Sequence, residues 1–147
     1  MLEEIHGDSD DQRLAWVAQD SVIEGKDLST QMTLFVRHGL SYIDNLTVHD
    51  ETIIYHQYDG FIIAIDWNGV QKYEIEMRIG LVRGLRCSNQ FLISGGDSKN
   101  LNVWNNEIGS LYHKVHHQPC RIEFVYADET KVITLGREDP PVVVGYW

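Results

Sequence analysis

The densest supply of metal donors in this sequence is His113-Lys-Val-His116-His117, three imidazoles within five positions. Zinc sites use closely spaced histidines with a further ligand from elsewhere in the chain. The cluster lies, however, in a link between two repeating segments, where exposed or strand-capping histidines are the expected reading. Glu138 and Asp139 are adjacent. In an extended turn neighbouring side chains point apart, so this pair reads as a solvated turn and not as an acid/base couple. Asp8, Asp10 and Asp11 have the composition of a calcium loop but lack its glycine and its terminal glutamate at the required spacing. Residues 1–12 therefore read as an acidic leader or a partial strand. Cys87 and Cys120 fit no C-x-x-C spacing and are expected to be reduced, buried thiols. The glycine-rich stretch Gly80 to Gly84 lacks the Lys-Ser/Thr ending of a phosphate loop, and no nucleophile elbow or dinucleotide fingerprint is present. The expectation is a chain without a catalytic residue, a metal ligand or a cofactor.

Charge narrows the partners. The 147 residues carry 12 basic and 22 acidic side chains, a net charge of −10. The densest basic stretch, Arg78, Arg83 and Arg86, is too sparse to offset that charge against a phosphate backbone, so nucleic acid is not an expected partner. An acidic surface instead steers basic protein surfaces toward it. No run of eighteen apolar residues spans a membrane, and the start MLEEIHGDSDDQR has no basic n-region followed by an apolar segment. An intracellular, cytoplasmic protein is expected.

The elements that would position any site come from an internal repeat. Leu92-Ile-Ser-Gly-Gly-Asp-Ser-Lys-Asn-Leu-Asn-Val-Trp104-Asn105 has counterparts starting at Leu14, Ile53 and Ile133, so the start points are spaced by 39, 39 and 41 residues. Three nearly equal spacings linking four segments mark a repeat architecture. Val22-Ile23, Ile62 to Ile65, Leu101 to Trp104 and Val142 to Val144 are apolar runs suited to buried strands. Tyr42 to Val48, Leu81 to Cys87 and Arg121 to Tyr126 are leading strands, and Val70 to Met77 alternates like an outer edge strand. Asp59-Gly60 is a strong hairpin signal, and Asp97 to Asn100 and Glu138 to Pro141 are polar turns at the equivalent place. Helical periodicity is absent apart from a possible turn within Leu2 to Ile5.

The Leu92 to Asn105 segment resembles the end of a WD repeat, whose pattern runs apolar-x-Ser-Gly-x-x-Asp-x-x-apolar-x-apolar-Trp-Asp. The resemblance implies an all-β fold of WD40-like β-propeller blades, each a four-stranded antiparallel sheet. About four repeats cover 13–147, at approximately 13–40, 41–79, 80–115 and 116–147. Asp20, Asp59 and Asp139 match the family's turn aspartate. Ser98 takes that slot in the third repeat, where the acid sits one place early at Asp97. Trp104 and Trp147 occupy the tryptophan position, and His117 lies near the histidine that opens a repeat. The first blade is expected to be incomplete because the chain starts too late for it, and the chain stops at Trp147 where an outermost strand should begin. An incomplete ring is expected, either a segment of a longer propeller or one closed by another chain or copy. The function the resemblance implies is a non-catalytic scaffold or adaptor that binds other proteins or peptides through variable loops, here around Thr47 to Glu51, Cys87 to Gln90 and Ala127 to Thr130. The alternatives are a metal-dependent catalytic propeller and a structural piece that completes a propeller with another chain.

Overall fold

Alternating and continuous apolar runs separated by Gly, Asp and Asn turns leave this chain one economical way to pair its backbone, as consecutive hairpins. A computed structural model describes residues 7–19, 21–39, 41–77, 82–88, 90–115, 121–128, 130–136 and 140–145. Among them there are fifteen β-strands and no helix. The first sheet contains β1 (Gly7–Ser9), β2 (Arg13–Gln19), β3 (Val22–Asp27) and β4 (Thr33–His38). The second contains β5 (Ile43–His49), β6 (Thr52–Gln57), β7 (Phe61–Ile65) and β8 (Gln71–Glu76). The third contains β9 (Val82–Ser88), β10 (Phe91–Gly96), β11 (Leu101–Asn105) and β12 (Leu111–Val115), and the fourth β13 (Phe124–Ala127), β14 (Lys131–Leu135) and β15 (Val142–Gly145). In every sheet the spatial order is the sequence order, an antiparallel up-and-down arrangement.

The acidic leader is structured from Gly7. Strand β1 pairs with β2 (Gly7 opposite Trp16) and completes a first sheet of four strands, where sequence spacing pointed to an incomplete one. Asp8 explains why so short and polar a strand holds: its Oδ2 accepts a 2.7 Å bond from the Val48 amide and a 3.3 Å bond from the Thr47 hydroxyl, across to the second sheet. Charge-assisted bonds of this kind are the stronger class. The helical turn considered within Leu2 to Ile5 lies outside the described residues.

The chain forms two compact units, Met1–Glu74 and Ile75–Trp147. In the first unit, Ala15, Ile23 and Phe35 of one sheet pack against Ile43, Leu46, Ile53, Tyr55, Ile63, Ile65 and Trp67 of the next. Phe35 and Trp67 meet edge to face with ring centroids 6.4 Å apart. Each large aliphatic side chain buried in this way contributes about 1.5–3 kcal/mol. Strand β6 is buried at all six positions, so beside Ile53, Ile54 and Tyr55 it also takes the polar Thr52, His56 and Gln57 into the interior.

In the second unit the seam is built around two missing side chains. Gly84 on β9 and Gly95 on β10 are directly opposite each other. A Cβ on Gly84 would lie 2.5 Å from Val125 Cγ2, and one on Gly95 would lie 2.8 Å from Ile122 Cδ1. The paired glycines form a flat patch on which Val125 and Ile122 rest, in a core with Ile93, Leu101 and Val132. Glycine here serves close approach between sheets. Trp104 at the end of β11 donates from Nε1 to the fully buried Ser94 hydroxyl at 2.9 Å, tying the third strand of its sheet to the second.

Candidate functional site

An up-and-down sheet sends its connections alternately to two ends. The turns β1–β2 and β3–β4 share one end of a sheet. The turn β2–β3 shares the other with the link to the next sheet. Asp59 lies in the β6–β7 turn and Ser98 in the β10–β11 turn, so both occupy the second-to-third-strand hairpin of their sheets. The Asp59 turn is closed by Gly60 at φ +96°, a conformation that favours glycine. Ser98 Oγ accepts from the Asn100 amide at 3.4 Å, while Asp97 accepts from Arg83 Nε at 2.6 Å. Trp104 lies in β11. Asp20, His117, Asp139 and Trp147 lie outside the described residues, as do His116, Cys120 and Glu138. His113 is in the exposed strand β12. Among the described residues no three His, Cys, Asp or Glu side chains come together as a metal site.

The loops expected to bind partners, around Thr47 to Glu51, Cys87 to Gln90 and Ala127 to Thr130, are all first-to-second-strand hairpins. In the first unit this end is a structural clamp. Arg13 makes two 2.9 Å bonds to Glu51 and binds Asp10 Oδ2 at 2.7 Å, and its guanidinium carbon sits 4.5 Å from the Trp67 ring centroid. Trp67 Nε1 in turn donates to the Asp50 carbonyl at 3.2 Å. The bond from Arg13 holds the Glu51 carboxyl below its ordinary pKa and holds the guanidinium above its own. For Asp10, burial pushes the carboxyl up, but bonds from Arg13 and from the Gln12 and Arg13 amides outweigh it and the pKa falls. In the second unit, Lys131 and the turn amides hold Asp128 far below the usual carboxylate range.

These shifts carry a sign. A depressed carboxylate contributes stability above its unfolded value, about 4.3 for Glu and 3.9 for Asp, and loses it as pH falls through the folded value. Arg13→Met is therefore expected to destabilise the protein most at neutral pH, with the deficit shrinking below about pH 4. Denaturant midpoints of both proteins at neutral and acid pH check this; an equal deficit at both would assign the role of Arg13 to packing on Trp67 alone.

The seam between the two sheets of the first unit, from its middle to the end opposite the clamp, has a different character. Between β4 of the first sheet and β6, β7 and β8 of the second lies a cavity of about 170 Å³. Arg37 forms one wall with its donors committed internally: Nε to the Tyr55 hydroxyl at 3.0 Å, one terminal nitrogen to the Gly69 carbonyl at 3.0 Å, and the other to Gln71 Oε1 at 2.9 Å. Burial pushes the Tyr55 phenol above its ordinary pKa, and Asp59 adds to this while Arg37 opposes it. Phe61 and Ile63 supply apolar walls, and the acidic residues Asp59 and Glu74, both exposed, also line the cavity. Asp59 has only long contacts from Gln57 Nε2, at 3.4 and 3.5 Å, and a 3.4 Å bond from the Phe61 amide.

Beside Asp59, Tyr42 and Tyr58 stand 44% and 51% exposed, ring centroids 5.2 Å apart at an interplanar angle of 83°. The Tyr58 amide donates to the Tyr42 carbonyl at 2.8 Å, and the Asp59 amide to Ser41 Oγ at 3.1 Å. The pair is thus held by the hairpin and the link and not by burial of its rings. Sequence reasoning singled out Asp59 for its turn. It missed Arg37, Tyr55, Glu74 and the tyrosine pair, whose only linear signal is that Tyr58 precedes Asp59.

No protein-family model matches the chain, and no curated protein matches it. Solved structures do. The chain is similar to the computationally designed Ika4 protein, with a TM-score of 0.86 and 16% identity over 99% of this chain and 92% of that one. It is also similar to BamB from Moraxella catarrhalis, at 0.75 and 16%, covering 87% of this chain and 38% of that one. A chain of the Mitotic Checkpoint Complex matches at 0.76 and 16%, with 90% and 45% covered. The structural neighbours include WD40 and β-propeller proteins, so the fold is that of β-propeller blades. The chain spans nearly the whole of the designed protein and less than half of each of the other two.

Proposed function

We propose that this chain is a non-catalytic protein-interaction module of WD-repeat type, and that the end of its first unit bearing Tyr42, Tyr58 and Asp59 receives a partner peptide or domain. The observation that carries this reading is the tyrosine pair. Two aromatic rings left half exposed on a rigid hairpin and link offer large contact area at low entropic cost, the property that makes tyrosine frequent at interaction hot spots. Backbone hydrogen bonds fix the loops that carry them, so a partner meets a preorganised surface. A neighbour that belongs to a named complex, the Mitotic Checkpoint Complex, supports the use of this fold in assemblies.

Selection of a random peptide library on the immobilised full chain tests the reading. Enriched peptides are expected to lose about tenfold or more in affinity on Tyr42→Ala/Tyr58→Ala, the loss typical of hot-spot truncation. The double variant should keep its circular dichroism, because both rings lie outside the core. No enrichment over an unrelated blade protein, or binding indifferent to both tyrosines, would remove the basis of the proposal.

A further inference from the structure

We infer that the cavity between the first and second blades is a receptor for one basic side chain, arginine or lysine, of a partner segment. This rests on the interaction reading and specifies its chemistry. The cavity, at about 170 Å³, far exceeds the ~10–15 Å³ that a single water requires. Its walls suit a long side chain with a charged tip: Phe61 and Ile63 offer apolar surface to a methylene stem, and Asp59 and Glu74 offer carboxylates to the head.

The electrostatics select a cation. The charged and titratable groups lining the cavity are Arg37, His38, Asp59, Glu74 and Tyr55. Two acidic residues, Asp59 and Glu74, stand against the one guanidinium of Arg37. Three of the five N–H groups of Arg37 already donate, to Tyr55, Gly69 and Gln71, so most of its hydrogen-bonding capacity is spent inside the blade seam. An arriving anion would meet two acidic residues, Asp59 and Glu74, against one guanidinium. A guanidinium or ammonium would gain charge-assisted bonds to the same groups. The net charge of −10 raises the encounter rate with basic segments from a distance. Asp59 belongs both to the turn carrying Tyr58 and to the cavity wall, so a segment lying across the tyrosine pair can place a neighbouring basic residue in the seam.

Amide-resolved NMR titration of the full chain with Nα-acetyl-arginine methylamide tests this, with Nα-acetyl-citrulline methylamide as the neutral isostere. The arginine probe is expected to produce saturable shifts confined to amides of 37–39, 57–63 and 71–74. Citrulline should produce none there. Asp59→Asn/Glu74→Gln should weaken the arginine response by about tenfold, and Asp11→Asn, which removes an acid distant in sequence, should leave it unchanged. Both acids are exposed, and amide spectra unchanged outside the seam establish that the double variant is folded. If arginine moves no seam amide, if citrulline matches it, or if the double variant responds like the parent, the cavity is a water-filled seam only. Should library peptides bind through the tyrosines while remaining insensitive to Asp59→Asn/Glu74→Gln, this inference falls and the interaction module stands. Should arginine shift the seam while no peptide is ever enriched, the receptor stands and the wider reading falls.

Discussion

Gly84→Ala is expected to destabilise the second unit by about 1–3 kcal/mol, the range for inserting a methyl into a packed seam. The new Cβ would stand 2.5 Å from Val125 Cγ2 and 2.8 Å from the Val125 backbone nitrogen. The second contact decides the magnitude. A methyl group can rotate away, but β13 itself must retreat to relieve a clash with its backbone, and that opens the core of Ile93, Leu101, Ile122, Val125 and Val132. Gly84→Val, with two further carbons, should cost more. Gly145→Ala is the matched control, because a Cβ there meets nothing within 4 Å, and such surface changes stay within about 0.5 kcal/mol. Hydrogen exchange over 82–135 is the measurement. Faster exchange in Gly84→Ala with Gly145→Ala unchanged supports the seam, and equal behaviour of the two variants would contradict it.

Asp44→Ala should cost a comparable amount, about 1–3 kcal/mol, by leaving a buried imidazole without a partner. His56 on β6 has no exposed surface, and its Nδ1 lies 2.6 Å from Asp44 Oδ1. Its Nε2 has no hydrogen-bond partner among the described residues. Asp44 reaches the ring because the β5–β6 register shifts between Ile43 and Asn45, a bulge that leaves Asp44 unpaired and re-aims its side chain. Asp44→Asn keeps an oxygen acceptor for an Nδ1 proton and should cost clearly less than Asp44→Ala. Urea midpoints of the two variants check the order. If Asn and Ala are equally harmful, the carboxylate matters for its shape in the bulge and not as the partner of His56.

The two cases differ in how far linear reasoning reaches. Gly95 falls inside the Leu92 to Asn105 segment that marks the repeat. Gly84, in contrast, lies in the expected leading strand Leu81 to Cys87 and in a stretch that fails as a phosphate loop, and neither reading singles it out. What makes Gly84 indispensable is a valine 41 positions later, and no local pattern announces an approach between sheets. His56 likewise sits in an apolar run where nothing signals its partner, since the bulge that delivers Asp44 belongs to the pairing of two strands. The Arg13 clamp has the same origin: Glu51 and Trp67 join Arg13 and Asp10 only when the first two blades pack. That packing also changes how the expected binding loops read, because the Thr47 to Glu51 hairpin is largely committed to holding the blades together.

By itself the sequence determined the repeat and most of the inner strands, while the edge strands β1, β4 and β12 appear only in the structure and the blade architecture came from the resemblance to WD repeats. The inner strands follow from period-two and continuous apolar runs between residues that favour turns, and both signals are local in the chain. The tertiary structure alone decided which groups meet across a seam. The Tyr42–Tyr58 surface, the cavity walled by Arg37, Asp59 and Glu74, and the glycine patch under Val125 each depend on side chains from different strands or blades being held a few ångströms apart. Short-range forces act on spatial distance, and sequence spacing carries that distance only within a hairpin.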